Sequence, residues 1–361
     1  MKAVLFILIS MLLLPVYGQK QYTLQDFFSR DYDLARKTDS LLQQMDDTAI
    51  IAQLIMPAAG RLGQPDSVIT HLLENRLIGG VLLLNGSMDG FRKKVESFNA
   101  VNTEKAGLPL LYSADAEPSL INRKITGSTV YKKASEIKNI EEVKKSARTI
   151  SADLKKVGIN YNFAPVVDMS PNKTVGWRSF GQTQDSIVRW SMEFIKETQD
   201  QQIIATAKHF PGHGYVSGDT HKQLVTIDGE MKEVENYPYL IENGVLSIMI
   251  AHIAVQNNDE FTTEGLPSST SRKIVTELLR DSLNFRGIIV TDAMNMGGVA
   301  KVENANVKAI DAGCDILLMP LDAEKAHAEI TQEYLSNEAF REQVRRSAQR
   351  IIRMKICLGL I

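Results

Sequence analysis

Hydrophobic and polar positions along this chain follow two periods. Eight short apolar runs recur, at 53–57, 79–85, 109–115, 161–168, 203–210, 247–253, 287–293 and 315–320. Runs of this length and character are expected of parallel strands buried on both faces. Between them lie stretches with apolar residues at helical spacing and charges between, most clearly 140–157, IEEVKKSARTISADLKKV. The run Ser268-Ser269-Thr270-Ser271 before 272–283 predicts a capped helix. The run at 53–57 can also be read as the end of the preceding helix. Strand–helix alternation repeated eight times predicts an α/β protein, a single-domain (β/α)8 barrel of the TIM type. A doubly wound sheet would need fewer strands, or a second domain for the surplus.

The first 18 residues stand apart. Lys2 gives a positive start, Ala3 to Pro15 is almost wholly apolar, and Val16-Tyr17-Gly18 suits signal-peptidase cleavage before Gln19. We expect a signal peptide at 1–18 and the barrel at 19–361, with an exported product, periplasmic or secreted. The apolar run is shorter than the about 20 residues of a membrane span. No stable membrane insertion is therefore expected after cleavage, an uncleaved anchor being the alternative. Position 19 is not a Cys, which argues against a lipoprotein. The net charge of −2 offers no basic field for nucleic acid. Cys314 and Cys357 both lie in apolar surroundings and read as core residues, their pairing left open.

In a barrel, chemistry sits where the strands end. The apolar runs end on Asp115, Asp168, Lys208 with His209, His252 and Asp292. Carboxylates and a lysine converging on one rim suit a polar ligand rich in hydroxyls. The stretch 203–221, IIATAKHFPGHGYVSGDTH, is the densest: His209, His213 and His221 are three of the six histidines of the chain. His209 and His213 have the i, i+4 spacing of a zinc-binding helix, but Pro211-Gly212 lies inside it, so no metal is expected.

KHFPGHG followed by DTH resembles the loop that marks family 3 glycoside hydrolases, and more narrowly their single-domain β-N-acetylglucosaminidase (β-N-acetylhexosaminidase) branch. The similarity extends over roughly residues 45 to 358. It implies Asp292, in VTDAMNM, as catalytic nucleophile. It implies His221 as acid/base, oriented by Asp219, on a loop that closes over substrate with Gly214 and Gly218 as hinges. It implies substrate-binding roles for Asp115, Arg123, Arg178, Lys208 and His209, with Asp168 and His252 in support. The reaction implied is retaining removal of terminal β-linked N-acetylglucosamine from peptidoglycan fragments or other glycans, with a carbohydrate as partner and no cofactor; the oligomeric state is left open, a monomer being favoured. Two departures stand out: Glu117-Pro118-Ser119 replaces the family's Glu-Gly-Gly, and Tyr215-Val216 replaces its Asp-Thr. The chain ends near 361, so the second α/β domain usual in the family's β-glucosidases is not expected. Alternatives are a β-glucosidase or a phosphorylase on the same site, a metal-dependent hydrolase using His209, His213 and His221, and a glycan-binding protein without turnover.

Overall fold

The computed structural model describes residues 20–169, 176–220 and 222–361. Eight parallel strands follow one another around a ring: β1 (Ile55–Met56, continued by Ala58–Ala59), β2 (Gly80–Leu83), β3 (Leu111–Ala114), β4 (Tyr161–Asn162), β5 (Ile204–Phe210), β6 (Ser247–Ile250), β7 (Ile288–Thr291) and β8 (Leu317–Leu318). Each falls inside one of the eight apolar runs, except that the second half of β1, Ala58–Ala59, lies just past the run at 53–57. The ring closes at its ends. Val290 on β7 bridges to Ile316, and β8 pairs with β1 through Ile55↔Leu317 and Met56↔Leu318. Pro57 has no N–H to give to a ladder. It divides β1 into a half that pairs with β8 and a half that pairs with β2, and its carbonyl still accepts from the Leu82 N–H. The run at 53–57 thus opens on the C-cap of the preceding helix, Gln53, and becomes a strand at Ile55.

Helices cover the ring. The segment Ile140–Val157 begins at Asn139, whose side chain accepts from the Glu142 N–H, and ends at Gly158 with φ +91°. It buries Val143, Ala147, Ile150, Leu154 and Val157, the apolar stripe read from its sequence. The expected capped helix at 272–283 takes another form. Lys273–Ser282 is wound with i→i+5 bonds, continued by Leu283 N–H to Leu278 O, and has no side-chain cap. The hydroxyls expected to cap it turn inward instead: Ser268 donates to Ile253 O, and Ser269 pairs with His252.

The two ends of the barrel differ. At the N-terminal end, buried polar groups hold the fold together. Asp315 accepts from Arg280, Arg350, Ser347 and the Ile289 N–H. Lys355, fully buried, donates to Gln53 Oε1 at 2.6 Å and Gly79 O at 3.1 Å. At the C-terminal end the loops build upward. A short parallel pair, Val225–Asp228 with Ile253–Gln256, walls one side of the rim, and Val216 packs against Val225, Ala251 and Ile253.

Candidate active site

Strand β5 delivers two polar side chains in succession. Its register against β6 shifts after Met249↔Lys208 to Ile250↔Phe210, leaving His209 as the extra residue of a bulge. A bulge re-aims side chains that a regular strand would send to opposite faces. Lys208 reaches the loop after β3, and His209 reaches the loop after β4.

The Lys208 ammonium, 2% exposed, lies 3.0 Å from Asp115 Oδ1 and 2.9 Å from Glu117 Oε1. Glu117, 1% exposed, also receives Arg178 in a fork, Nε at 2.9 Å and an Nη at 2.5 Å. Asp115 takes a second cation, Lys124, at 3.2 Å on its other oxygen. The result is a ladder of alternating charge, Lys124–Asp115–Lys208–Glu117–Arg178. Burial alone would keep both acids protonated. For Asp115 the Lys208 and Lys124 ammonium groups outweigh it and hold the carboxyl well below the usual range. For Glu117 burial is outweighed by Arg178 and Lys208, and the carboxyl falls to about 2. Burial disfavours the Lys208 ammonium, but Asp115 and Glu117 keep it charged, above its ordinary value. Asp115 and Lys124 remain about a fifth exposed, so this end of the ladder opens to the cleft.

The loop after β4 supplies Asp168, fully buried. Its Oδ1 accepts from the His209 and His213 N–H groups at 3.1 and 2.9 Å, and its Oδ2 lies 2.7 Å from His209 Nδ1. A second buried carboxyl, Glu233, accepts from the N–H groups of Met169, Gly214 and Tyr215. Burial, and then Asp168 beside it, push Glu233 up, whereas His209 and His213 hold Asp168 down despite its burial. His213 Nε2 is 3.0 Å from Thr220 Oγ1, and Thr220 O accepts from the Gly298 N–H. Burial, with His209 nearby, lowers the pKa of His213, which favours the neutral ring.

Asp292 follows β7. Its N–H donates to Ile250 O, and its Oδ1 accepts from the Ala293 N–H at 2.8 Å. Burial raises its pKa, but the imidazoles of His209 and His252, the Ala293 N–H and Lys208 together bring it below the ordinary value. Asp292 is therefore ionised at neutral pH. His252 lies behind Asp292. Burial lowers its pKa, so the ring is neutral. Its Nε2 lies 3.1 Å from Ala293 O and its Nδ1 2.7 Å from Ser269 Oγ. The proton therefore sits on Nε2 and Nδ1 accepts from the hydroxyl.

The structure brings Asp115, Arg178, Lys208, His209 and Asp292 to one rim, with Asp168 and His252 buried behind them. His209 and His213 lie on a strand end and a loop, not on one helix. Arg123 does not join the cluster: it is exposed on the short helix Ile121–Lys124, and its neighbour Lys124 makes the contact with Asp115. Asp219 is half-buried, with its carbonyl accepting from the Lys222 and Gln223 N–H groups. His221 lies outside the described residues, as does the expected signal peptide. Gly214 is no hinge. A Cβ there would stand 2.4 Å from both Glu233 Oε1 and Met169 O, so the glycine serves close packing. Gly218, with φ +119°, does adopt a conformation that favours glycine. Three site residues escaped the sequence reading: Glu117, Lys124 and Glu233. The alternation of Asp115 and Glu117 after β3 was a usable signal for the first.

A closed parallel barrel carrying an ionised strand-end carboxylate and a buried charge ladder at its C-terminal rim has the architecture of a barrel enzyme. The chain belongs to glycosyl hydrolase family 3: residues 48–354 match the family's N terminal domain. It is 28% identical to Beta-hexosaminidase A of Pseudoalteromonas piscicida over 330 residues, covering 80% of this chain and 54% of that protein. It is 31% identical to a Beta-hexosaminidase of Actinobacillus pleuropneumoniae, covering 69% and 76%. Among solved structures it resembles the family 3 beta-N-acetylglucosaminidase of Paenibacillus sp. str. FPU-7, with TM-score 0.80, 27% identity, and 88% and 63% coverage. The chain thus spans between about half and three quarters of these relatives.

Proposed function

We propose that this protein is a retaining exo-β-N-acetylglucosaminidase that removes terminal β-linked N-acetylglucosamine. The observation that carries the reading is Asp292. It is a carboxylate at the end of β7, held below its ordinary pKa by His209, the Ala293 N–H and Lys208 against the pull of burial. A retaining glycosidase needs such a group to attack the anomeric carbon. The relatives named above, hexosaminidases and an N-acetylglucosaminidase, support the sugar.

In this account Asp115 accepts hydrogen bonds from sugar hydroxyls, while Lys208, Lys124 and Arg178 donate. His209 is fixed by Asp168 at the subsite floor. Asp292 attacks C1 as the leaving oxygen takes a proton from His221. Most glycosidases use a carboxylic acid for that step. An imidazole suits it because its ordinary pKa lies near working pH. Asp219, two residues earlier, orients the ring. The same histidine then takes a proton from water, which cleaves the glycosyl ester. The leader-like segment at 1–18 supports export, and GlcNAc-bearing wall fragments are the substrates that location offers.

The test is hydrolysis of p-nitrophenyl β-N-acetylglucosaminide and β-glucoside by wild type and Asp292→Asn. Turnover of the N-acetyl compound, lost in the variant, is the expected result. Turnover of the glucoside alone would overturn the sugar, and full activity of Asp292→Asn would overturn the nucleophile.

A further inference from the structure

Glu233 is buried and lies outside the charge ladder. It comes from the short helix Lys232–Asn236, in the link between β5 and β6. Its carboxyl oxygens join two loops. One accepts from the Met169 N–H, directly after Asp168. The other accepts from the Gly214 N–H at 2.7 Å, directly after His213, and the Tyr215 N–H also bonds to the carboxyl. Asn236, on the same helix, donates to Val167 O at 2.8 Å, so the helix grips the β4 loop on both sides of Asp168.

The backbone of 212–214 is shaped around this carboxyl. Gly212, with φ +137°, and Gly214 both approach it so closely that a Cβ on either would stand 2.4 Å from an oxygen. Only glycine permits that approach. Beyond it the chain runs through Val216, packed against the wall of the rim, to Thr220, docked on His213 and Gly298. The segment between carries the exposed residues Ser217 and Gly218. Three backbone N–H groups from two loops thus converge on one buried side chain, which ties the loops together. The root of the loop is therefore its firmest part.

We propose that Glu233 is a positioning residue for the acid/base step. By clamping 212–215 to the Asp168 loop it fixes the root of the segment that leads to Asp219, and through it the acid/base step. It touches no substrate. The proposal rests on the reading of Asp219 and His221 as the acid/base pair.

Two measurements test it. The first is kcat/KM of wild type and Glu233→Gln on aryl β-N-acetylglucosaminides with a good leaving group (2,4-dinitrophenol) and a poor one (4-methoxyphenol). The amide keeps one acceptor and presents a donor where the carboxyl group has a second oxygen. Misplaced acid catalysis costs the poor leaving group most, and at least about tenfold is expected there, against less than about threefold for the good one. Equal losses on both substrates, or no loss in a folded variant, overturn the proposal. The second needs no turnover and no variant. In native-state hydrogen exchange of wild type, Gly214 and Tyr215 should exchange at least about 100-fold more slowly than Ser217 and Gly218. Equal rates overturn the clamp. Slow exchange in a protein that cleaves neither glycoside would leave the clamp standing and sink the glycosidase reading instead.

Discussion

Replacing Glu117 by Gln removes one of the two carboxylates of the charge ladder while keeping its shape. The wild-type carboxylate is 1% exposed and faces Lys208 at 2.9 Å and the Arg178 fork. Breaking one partner of a buried ion pair costs about 3–5 kcal/mol, because the other charge is left uncompensated. Proton linkage gives an independent figure. The carboxyl falls from its ordinary 4.5 to about 2 on folding. At about 1.4 kcal/mol for each tenfold change in proton affinity, this is about 3 kcal/mol. A depressed carboxyl contributes stability that is present above 4.5 and lost as pH falls through about 2. With an unfolding entropy of about 2 cal/mol/K per residue, Glu117→Gln should lower Tm by about 4–7 °C at pH 7. The gap should shrink to about half at pH 3, where wild type has begun to lose the same stabilisation. Circular dichroism melts of both proteins at the two pH values check it. A shift below about 1 °C at pH 7, or a gap of equal size at both, would refute the electrostatic account.

Three further outcomes follow from named contacts. Lys124→Met should raise KM about tenfold with little change in kcat, and more than Arg123→Ala does, since Lys124 is the cation on Asp115; steady-state kinetics on both variants decide it. Lys355, buried without an acid, has its pKa lowered by burial to about 7. Folding therefore sheds a proton between about 7 and 10.5, wild type gains stability as pH rises through that window, and urea unfolding of Lys355→Met should show a flatter profile there. Gly214→Ala forces a Cβ against Met169 O and Glu233, and should cut kcat about tenfold or more while leaving KM within about threefold, as kinetics on the aryl glycoside would show.

The barrel was legible because strands buried on both faces leave unbroken apolar runs, and all eight runs hold a strand. The strand ends were legible for the same reason: Asp115, Lys208 and Asp292 each interrupt an apolar run. What escaped depends on tertiary partners. The hydroxyls of Ser268 and Ser269 read as a helix cap, but Ile253 O and His252 claim them. Lys124 rather than Arg123 meets Asp115 because a single helical turn decides which side chain faces the cleft. Glu233 carries no local signal, since its partners Met169 and Gly214 lie 64 and 19 residues away. Gly214 read as freedom of movement, and its neighbours make it a point of close contact.

The central claim is that Asp292 becomes glycosylated. Wild type should be incubated with a fluorinated β-N-acetylglucosaminyl fluoride, which forms the ester faster than water cleaves it, then digested and sequenced by mass spectrometry. The account predicts one added sugar on the peptide spanning Gly287–Met296, at Asp292, and none on Asp292→Asn. Turnover with no adduct, or an adduct on another residue, would contradict it.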